Sequence, residues 1–168
     1  AAGFIGSHLC ERLLKDGWDV VGLDNFDDFY EPAVKWDNIK KCRTNNKFRI
    51  VEGDIRDAGC VNPLVEEGDV DIIVHLAAKA GVRPSIEDPV GYQDVNINGT
   101  VVMLEAAKKF GVKKFVFASS SSVYGNNKKV PFSESDNVDF PISPYAATKK
   151  SGELICHTYH HLYDIAMT

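Results

Sequence analysis

Tyr145 and Lys149 are the residues whose types and spacing are best suited to chemistry in this chain. They lie in the stretch SPYAATKKSGEL, residues 143–154. On a helix, positions i and i+4 share a face, so the phenol and the ammonium would point into the same space. An ammonium favours the phenolate form of a nearby tyrosine, which makes Tyr145 a candidate proton acceptor at neutral pH. An ordinary helix with one tyrosine and several lysines shows the same spacing, so the interpretation depends on the surrounding motifs.

A run of four serines, SSSSVYG over residues 119–125, lies 25 residues upstream, counted from Ser120 to Tyr145. A buried strand over 114–118 leads directly into the run, which favours an ordered turn over a flexible serine linker. A serine hydroxyl brought close to the tyrosine could hold the substrate oxygen whose proton moves. Ser120 is therefore the predicted partner of Tyr145.

The start of the chain, AAGFIGSHLCERLLKDGWDVVGLDN, is typical of a dinucleotide-binding turn. Gly3 and Gly6 match the second and third glycines of a G-x-x-G-x-x-G variant of the Rossmann fingerprint, whose first glycine would fall immediately before Ala1. A helix over 7–15 and a strand over 18–23 are predicted to follow. Amides at a helix N-terminus attract pyrophosphate, and glycines let the backbone approach it.

Asp24 follows the predicted strand at its carboxyl end. A carboxylate at this position suits the two ribose hydroxyls of NAD and would repel the 2′-phosphate of NADP. NAD is therefore the predicted cofactor.

Length and composition indicate one globular domain. The chain has 168 residues, with 44% hydrophobic and 26% charged residues and a net charge of −5, which argues against a general nucleic-acid surface. No apolar run approaches the roughly 20 residues of a membrane span. The four cysteines show no disulfide-framework spacing, which favours a reducing, cytoplasmic location. His157, His160 and His161 share a helix, but no carboxylate or cysteine completes a ligand set, so no metal site is predicted.

Strands and helices alternate along the rest of the chain. Strands are predicted over 47–52, 70–75 and 114–118, helices over 58–67, 90–110 and from Pro144 onwards, and loops over 76–89 and 126–144. This alternation predicts an α/β fold, a doubly wound parallel sheet of the Rossmann type. Ligands bind such sheets at the carboxyl ends of the strands. Five candidate residues fall at or just after those ends, which predicts a single site: Gly3, Asp24, Asp54, Ala77 and Ser120.

Seven motifs resemble, in order, those of the extended short-chain dehydrogenase/reductases, in the nucleotide-sugar epimerase and dehydratase branch. They are AGFIGSHL (2–9), DN (24–25), GDIRD (53–57), HLAA (75–78), Asn96 of VNINGT (95–100), SSSSVYG (119–125) and YAATK (145–149). Longer strings over 24–32, 79–89 and 143–163 most resemble UDP-glucuronate 4-epimerases. The resemblance implies an NAD-binding Rossmann-like domain over 1–168. Its first strand, expected between those containing Val21 and Ile73, and its C-terminal substrate region would be absent from the chain, which would stop before the next sheet strand.

The resemblance also implies a role for each matching residue. Around NAD it places Gly3, Phe4, Ile5 and Gly6 at the pyrophosphate, Asp24 and Asn25 at the adenosine ribose, Asp54 and Ile55 at the adenine, Leu76, Ala77 and Ala78 along the dinucleotide, Asn96 in support of the active site, and Tyr145 and Lys149 at the nicotinamide end. Tyr145 would be the base, with Ser120 as its partner. The helices over 90–110 and 144–163 would pair across a homodimer.

The mechanism implied by the resemblance is transient oxidation of a UDP-sugar. Tyr145 would take the proton of the sugar 4-hydroxyl while the C4 hydride passes to NAD⁺, and the 4-keto sugar would turn over before the hydride returns. Arg83 is a further candidate for a substrate phosphate or carboxylate, or else a solvated loop arginine.

Ser121 and Ser122 narrow the choice among the family's reactions. They stand where family dehydratases and UDP-glucuronate decarboxylases usually carry an acid. Their hydroxyls can instead donate hydrogen bonds to the carboxylate of a uronic acid. Epimerisation of UDP-glucuronate to UDP-galacturonate is therefore predicted. The alternatives are a galactose-type epimerase, a related dehydratase or decarboxylase, and an inactive dinucleotide-binding fragment.

Overall fold

A computed structural model describes residues 1–67 and 69–168. The helices are α1 (Phe4–Lys15), α2 (Pro32–Asn38), α3 (Ala58–Glu67), α4 (Val82–Glu87), α5 (Pro89–Gln93), α6 (Gly99–Phe110) and α7 (Pro144–Tyr163). The strands are β1 (Val20–Asp24), β2 (Phe48–Glu52), β3 (Ile73–His75), β4 (Lys114–Phe117) and β5 (Ala166–Met167). Within those residues, no helix combines the length and apolar character needed to cross a bilayer.

The strands form two parallel ladders. β1 pairs with β2, and β3, β4 and β5 pair in that order. Leu23 of β1 packs against the same apolar cluster as Ile73 of β3, so the ladders lie side by side. Between β1 and β3, the described residues supply no strand, in agreement with the predicted position of the first Rossmann strand. The predicted doubly wound α/β architecture is confirmed.

The main core lies where α3, α6 and α7 cover the β3–β4–β5 ladder. Leu104 of α6 and Phe115 of β4 are almost completely buried at its centre, and Cys156 brings α7 into the same cluster. Burying apolar side chains on both faces is the usual condition of a parallel sheet. This core fixes the two elements that carry the serine run and the Tyr145 helix.

Several predicted boundaries were wrong for local reasons. Segment 76–89 is not a continuous loop, because α4 forms within it. Gly81, at φ 105°, turns the chain into the helix, and Pro84 lies in its first turn, where proline removes no helical hydrogen bond. The predicted strand over 70–75 is limited to β3, and α1 begins three residues earlier than expected.

Two other departures bear on function and on the chain's end. The predicted helix over 90–110 contains a π-helical segment, Asp94–Asn98, between α5 and α6. β5 pairs with β4, so the expectation that the chain stops before the next strand was wrong.

Two leucines of α7, Leu154 and Leu162, are exposed. Their exposure is compatible with the predicted homodimer, which stays a prediction.

Candidate active site

The helix α7 begins where its sequence provides two start signals. Ser143 is the N-cap, and its hydroxyl accepts a hydrogen bond from the Ala146 N–H at 3.1 Å. Pro144 follows at the first helical position, where the missing N–H costs nothing. Gly152 lets the helix lie close to β4, because a Cβ there would stand 2.3 Å from the Phe117 ring. Together these residues set the position and depth of the helix that carries Tyr145 and Lys149.

Lys149 is a buried cation on α7. Its residue is 4% exposed, and its ammonium donates to the Ala118 carbonyl at 2.8 Å, immediately after β4. The ammonium also lies 5.1 Å from the centre of the Phe117 ring. Burial lowers the pKa of Lys149 from 10.5 to about 8. The geometry thus holds a proton donor of nearly neutral pKa at the carboxyl end of a central strand.

Tyr145 lies one helical turn before Lys149 on α7, with its side chain partly exposed. Its ring meets the buried Tyr92 ring edge to face, with 6.2 Å between the ring centres. The Tyr92 hydroxyl donates to the Ala80 carbonyl at 2.6 Å, which fixes that ring. The Tyr145 ring therefore packs against Tyr92 of α5, while its helix packs against Phe117 of β4.

A buried hydrogen-bond network is centred on Asn96, in the π-helical segment. Its amide group donates to the Thr148 hydroxyl and to the Lys79 carbonyl, both at 3.0 Å, and its oxygen accepts from the Lys79 N–H at 2.8 Å. Thr148 in turn donates to the Tyr145 carbonyl at 2.8 Å. π-helical segments concentrate at functional sites. Here the segment directs the Asn96 side chain inward. That side chain links Lys79, in the loop after β3, to the first turns of α7, which carry Tyr145.

His75 extends the network at the end of β3. The Thr100 hydroxyl donates to the Asn96 carbonyl at 2.7 Å, so it accepts from Nε2 of His75, 2.9 Å away. Burial, followed by the charge of Lys149, lowers the pKa of His75 to about 3. The imidazole is therefore neutral and structural.

The serine run forms a 3₁₀ turn over Ser121–Tyr124 that packs against α7. Ser120 is its N-cap, and its hydroxyl accepts from the Ser122 N–H and donates to the Ser122 hydroxyl, both at 3.2 Å. Ser121 is exposed, whereas Ser120 and Ser122 are partly buried. The run is thus an ordered turn that begins directly after the carbonyl held by Lys149.

The N-terminus of α1 presents the first half of a nucleotide site. The first backbone bond into the helix runs from the Ser7 N–H to the Gly3 carbonyl at 2.9 Å, so the preceding amides have no partner within the helix. Gly6 is required at this point, since a Cβ there would lie 2.5 Å from the Ala1 carbonyl oxygen. Phe4 and Ile5 are 75% and 67% exposed. Three free amides at a helix start form a donor set that suits a pyrophosphate.

Asp24 lies at the end of β1, close to this turn. Its carboxylate accepts from the nitrogens of Ala1 and Ala2 at 2.9 and 2.8 Å and from the Phe26 N–H at 2.9 Å. The N–H groups of Ala2 and Phe26 thus hold the carboxylate in one orientation at the position predicted for the ribose.

The predicted adenine residues lie at the end of β2. Ile55 is buried. The Asp54 carboxylate accepts two hydrogen bonds from the Arg56 guanidinium, from Nε at 2.9 Å and from Nη2 at 2.7 Å. Asn25 donates to Asp54 at 3.2 Å, which brings two predicted cofactor residues together. Hydrogen bonds from Arg56 lower the pKa of Asp54 to about 2.

The remaining predicted residues lie along the segment after β3. Leu76, Ala77 and Ala78 are partly buried and lie directly after β3, outside any helix or strand. Arg83 lies on α4, not in a loop, and its side chain is exposed. Its predicted contact with substrate remains a prediction.

Sequence reasoning missed the residues that hold the site together. Apart from its motif position, Arg56 carried no signal in the sequence. Thr148 carried none either, since a threonine before a lysine is common. Lys35 is a buried lysine whose ammonium donates to the Asp27 carbonyl at 2.6 Å beneath Tyr30. The missed residues are Tyr30, Lys35, Arg56, Tyr92, Asp94, Thr100 and Thr148.

Comparison with known proteins identifies the family of the chain. A family described as GDP-mannose 4,6-dehydratase matches residues 1–168. UDP-glucuronate 4-epimerase 3 of Arabidopsis thaliana is 48% identical over 100% of the chain, which spans 39% of that protein. UDP-glucuronate 4-epimerase of Thermodesulfobacterium geofontis is 45% identical over 98% of the chain, which spans 50% of it.

A solved structure gives the same result in three dimensions. The UDP-glucuronic acid 4-epimerase of Bacillus cereus, in complex with UDP-glucuronic acid and NAD, has a TM-score of 0.91 and 41% identity, covering 100% of this chain and 52% of its own. The chain therefore spans about half the length of this solved relative. It belongs to the GDP-mannose 4,6-dehydratase family, and the extended short-chain dehydrogenase/reductase identification made from its motifs is confirmed.

Proposed function

We propose that the whole protein is an NAD-dependent UDP-sugar 4-epimerase that converts UDP-glucuronate to UDP-galacturonate. The observation that carries the chemistry is the buried Lys149 ammonium, placed one turn after Tyr145 and bonded to the carbonyl that precedes the serine turn. A lysine this buried is costly unless its charge is used. The similarity to UDP-glucuronate 4-epimerases supports the choice of sugar.

The residues present fit NAD as the cofactor. The free amides of Phe4, Ile5 and Gly6 suit its pyrophosphate, and Asp24 is the charged group expected at its adenosine ribose. Bound in this way, NAD⁺ supplies an acceptor for the C4 hydride of the sugar and gives the hydride back. The protein's own groups must then move the proton of the 4-hydroxyl and hold the sugar while it turns.

Tyr145 is the group that takes this proton. Lys149 places its positive charge on the same helical face, where it is fixed by the Ala118 carbonyl. Ser120 presents its hydroxyl at the start of the 3₁₀ turn, and because hydroxyl groups rotate, it can turn from Ser122 to the sugar oxygen. Tyr92 and the Asn96 network restrict the tyrosine, so little reorganisation is needed when substrate binds.

Ser121 and Ser122 favour epimerisation over elimination. The 4-keto form of a uronic acid is a β-keto acid, which loses CO₂ when its carboxylate aligns with the carbonyl. Ser122 accepts from Ser120, so its own proton is free to donate to that carboxylate and hold it out of alignment. Neither serine supplies the acid that dehydration needs.

The test compares two sugars on protein expressed from its full reading frame. Wild-type protein should convert UDP-glucuronate to UDP-galacturonate with little pentose product. Ser122→Ala should reduce use of UDP-glucuronate by about 10- to 100-fold, because a donor to a charged group is lost, and should affect UDP-glucose much less. Ser135→Ala, at an exposed serine outside the run, is the matched control. Equal losses on both sugars, seen by chromatography of the products, would favour a galactose-type epimerase instead.

A further inference from the structure

The adenine-side loop contains an arginine clamped between two carboxylates that come from different parts of the chain. Arg56 bonds to Asp54 through Nε and Nη2, and to Asp94 through Nη1 at 2.6 Å. Asp94 is also fixed by the Asn98 amide at 2.9 Å. The planar guanidinium therefore joins the loop after β2 to the first residue of the π-helical segment. A bidentate arginine of this kind holds a carboxylate in one orientation.

The acceptor positions of Asp54 are not equally occupied. Oδ1 accepts from the Arg56 N–H and Nε, both at 2.9 Å, and Oδ2 accepts from Arg56 Nη2 at 2.7 Å. The fourth position is taken by the Asn25 amide at 3.2 Å, which is the longest of the four bonds. A carboxylate has about four such positions. The Asn25 position is therefore the one that a ligand can take over at least cost.

We propose that Arg56 is a positioning residue that makes this protein selective for adenine. Its two hydrogen bonds orient the Asp54 carboxylate so that the 6-amino group of adenine replaces the Asn25 amide at Oδ2. The displaced amide is then free for the neighbouring ribose. A base with a 6-oxo group presents an acceptor to the same carboxylate and is repelled. This inference rests on the proposed binding of NAD.

The test measures the dissociation constants of NAD and of its hypoxanthine analogue by calorimetry, with full-length protein. Wild-type protein should prefer NAD by about 10- to 100-fold, the value of one hydrogen bond to a charged group. In Arg56→Gln the preference should fall to about threefold or less. Arg56→Lys keeps the charge but not the fork, so it should lose most of the preference as well. Asp94→Asn weakens only the bond between Arg56 and Asp94, so it should lose a smaller part of the preference for NAD.

Arg12→Gln is the control, since Arg12 pairs with Asp16 through Nε at 2.7 Å on the exposed face of α1. It should leave the preference unchanged. If Arg56→Gln weakens both dinucleotides equally, the arginine merely stabilises the fold, and the inference is wrong. The inference is also wrong if Arg56→Lys and Arg56→Gln both keep the wild-type preference for NAD over its hypoxanthine analogue. If wild-type protein binds neither dinucleotide, the proposed function fails together with the inference.

Discussion

The two ends of the candidate site differ in how their charged groups are held: one by burial, the other by pairing with opposite charges. The catalytic end consists of Asn96, Ser120, Tyr145, Thr148 and Lys149, and the adenosine end of Asp24, Asn25, Asp54, Arg56 and Asp94. At the catalytic end, one buried ammonium is bonded to a neutral carbonyl, and its pKa falls to about 8. At the adenosine end, an exposed guanidinium lies between two carboxylates, and the pKa of Asp54 falls to about 2.

The difference separates chemistry from recognition. A group whose charge must act on the reacting atoms gains from a desolvated position, which lowers the pKa of a lysine and costs stability. A group that only recognises a ligand gains from a fixed charge, which pairing provides at little cost. The catalytic end is therefore expected to be sensitive to pH and costly to the fold, and the adenosine end to be neither.

The largest expected effect is the loss of the base. Tyr145→Phe keeps the ring against Tyr92 but removes the oxygen, so turnover should fall by about 10²- to 10⁴-fold while NAD binding is largely kept. Tyr163→Phe, at the other end of the same helix, is the control and should be close to wild type. Turnover and NAD affinity are measured separately. Nearly normal turnover in the first variant would remove Tyr145 from the role of base.

Lys149→Met should abolish most activity and yet stabilise the fold. The amine titrates near 10.5 when unfolded and near 8 when folded, so the folded state opposes its charge by about 3 kcal/mol at pH 7. The lost hydrogen bond to Ala118 costs about 1 kcal/mol. The variant should therefore be about 2 kcal/mol more stable at pH 7 in the absence of ligand.

The pH dependence gives the sign of this effect. Between pH 8 and 10.5 the unfolded chain keeps a proton at Lys149 that the folded chain has released, so wild-type stability rises with pH across that window. The advantage of Lys149→Met should disappear by pH 10.5, as followed by urea denaturation. Lys150→Met, which loses only a pairing with Glu153, is the control. A difference that is constant with pH would contradict the buried-charge account.

Asp24→Ala tests the adenosine end. Loss of the carboxylate should weaken NAD by about tenfold and remove the exclusion of NADP, because nothing then repels the 2′-phosphate. The two dissociation constants are compared by calorimetry on full-length protein. Asp19→Ala, an exposed carboxylate just before β1, should change neither. If wild-type protein already binds NADP as well as NAD, the role assigned to Asp24 is wrong.

The smallest expected effect concerns the support of Tyr145. Thr148→Val keeps the shape of the side chain but removes the hydroxyl between Asn96 and the Tyr145 carbonyl, so kcat should fall several-fold with KM nearly unchanged. Thr158→Val deletes a similar hydroxyl bond, to the Leu154 carbonyl, on the same helix and should leave kcat unchanged. Equal kinetics in the two variants would show that the buried network does not position the tyrosine.

The sequence by itself determined which chemical groups reach the site. Gly3, Asp24, Asp54 and Ser120 were predicted at strand ends or turns because strand periodicity and turn residues act over a few positions. The start of α7 was equally local, since Ser143 and Pro144 are its cap and first residue. The predicted loop over 76–89 failed because proline is as compatible with a first helical turn as with a loop.

Only the tertiary structure decided how those groups are held and charged. The bond between Asn96 and Thr148 joins residues 52 apart in sequence, and that between Arg56 and Asp94 joins residues 38 apart. The π-helical segment that supplies Asn96 and Asp94 has no pattern of its own in the sequence. The burial that brings Lys149 to a pKa of about 8 depends on β4 and on the absence of a side chain at Gly152. Such contacts follow from packing between distant segments, which local periodicity does not encode.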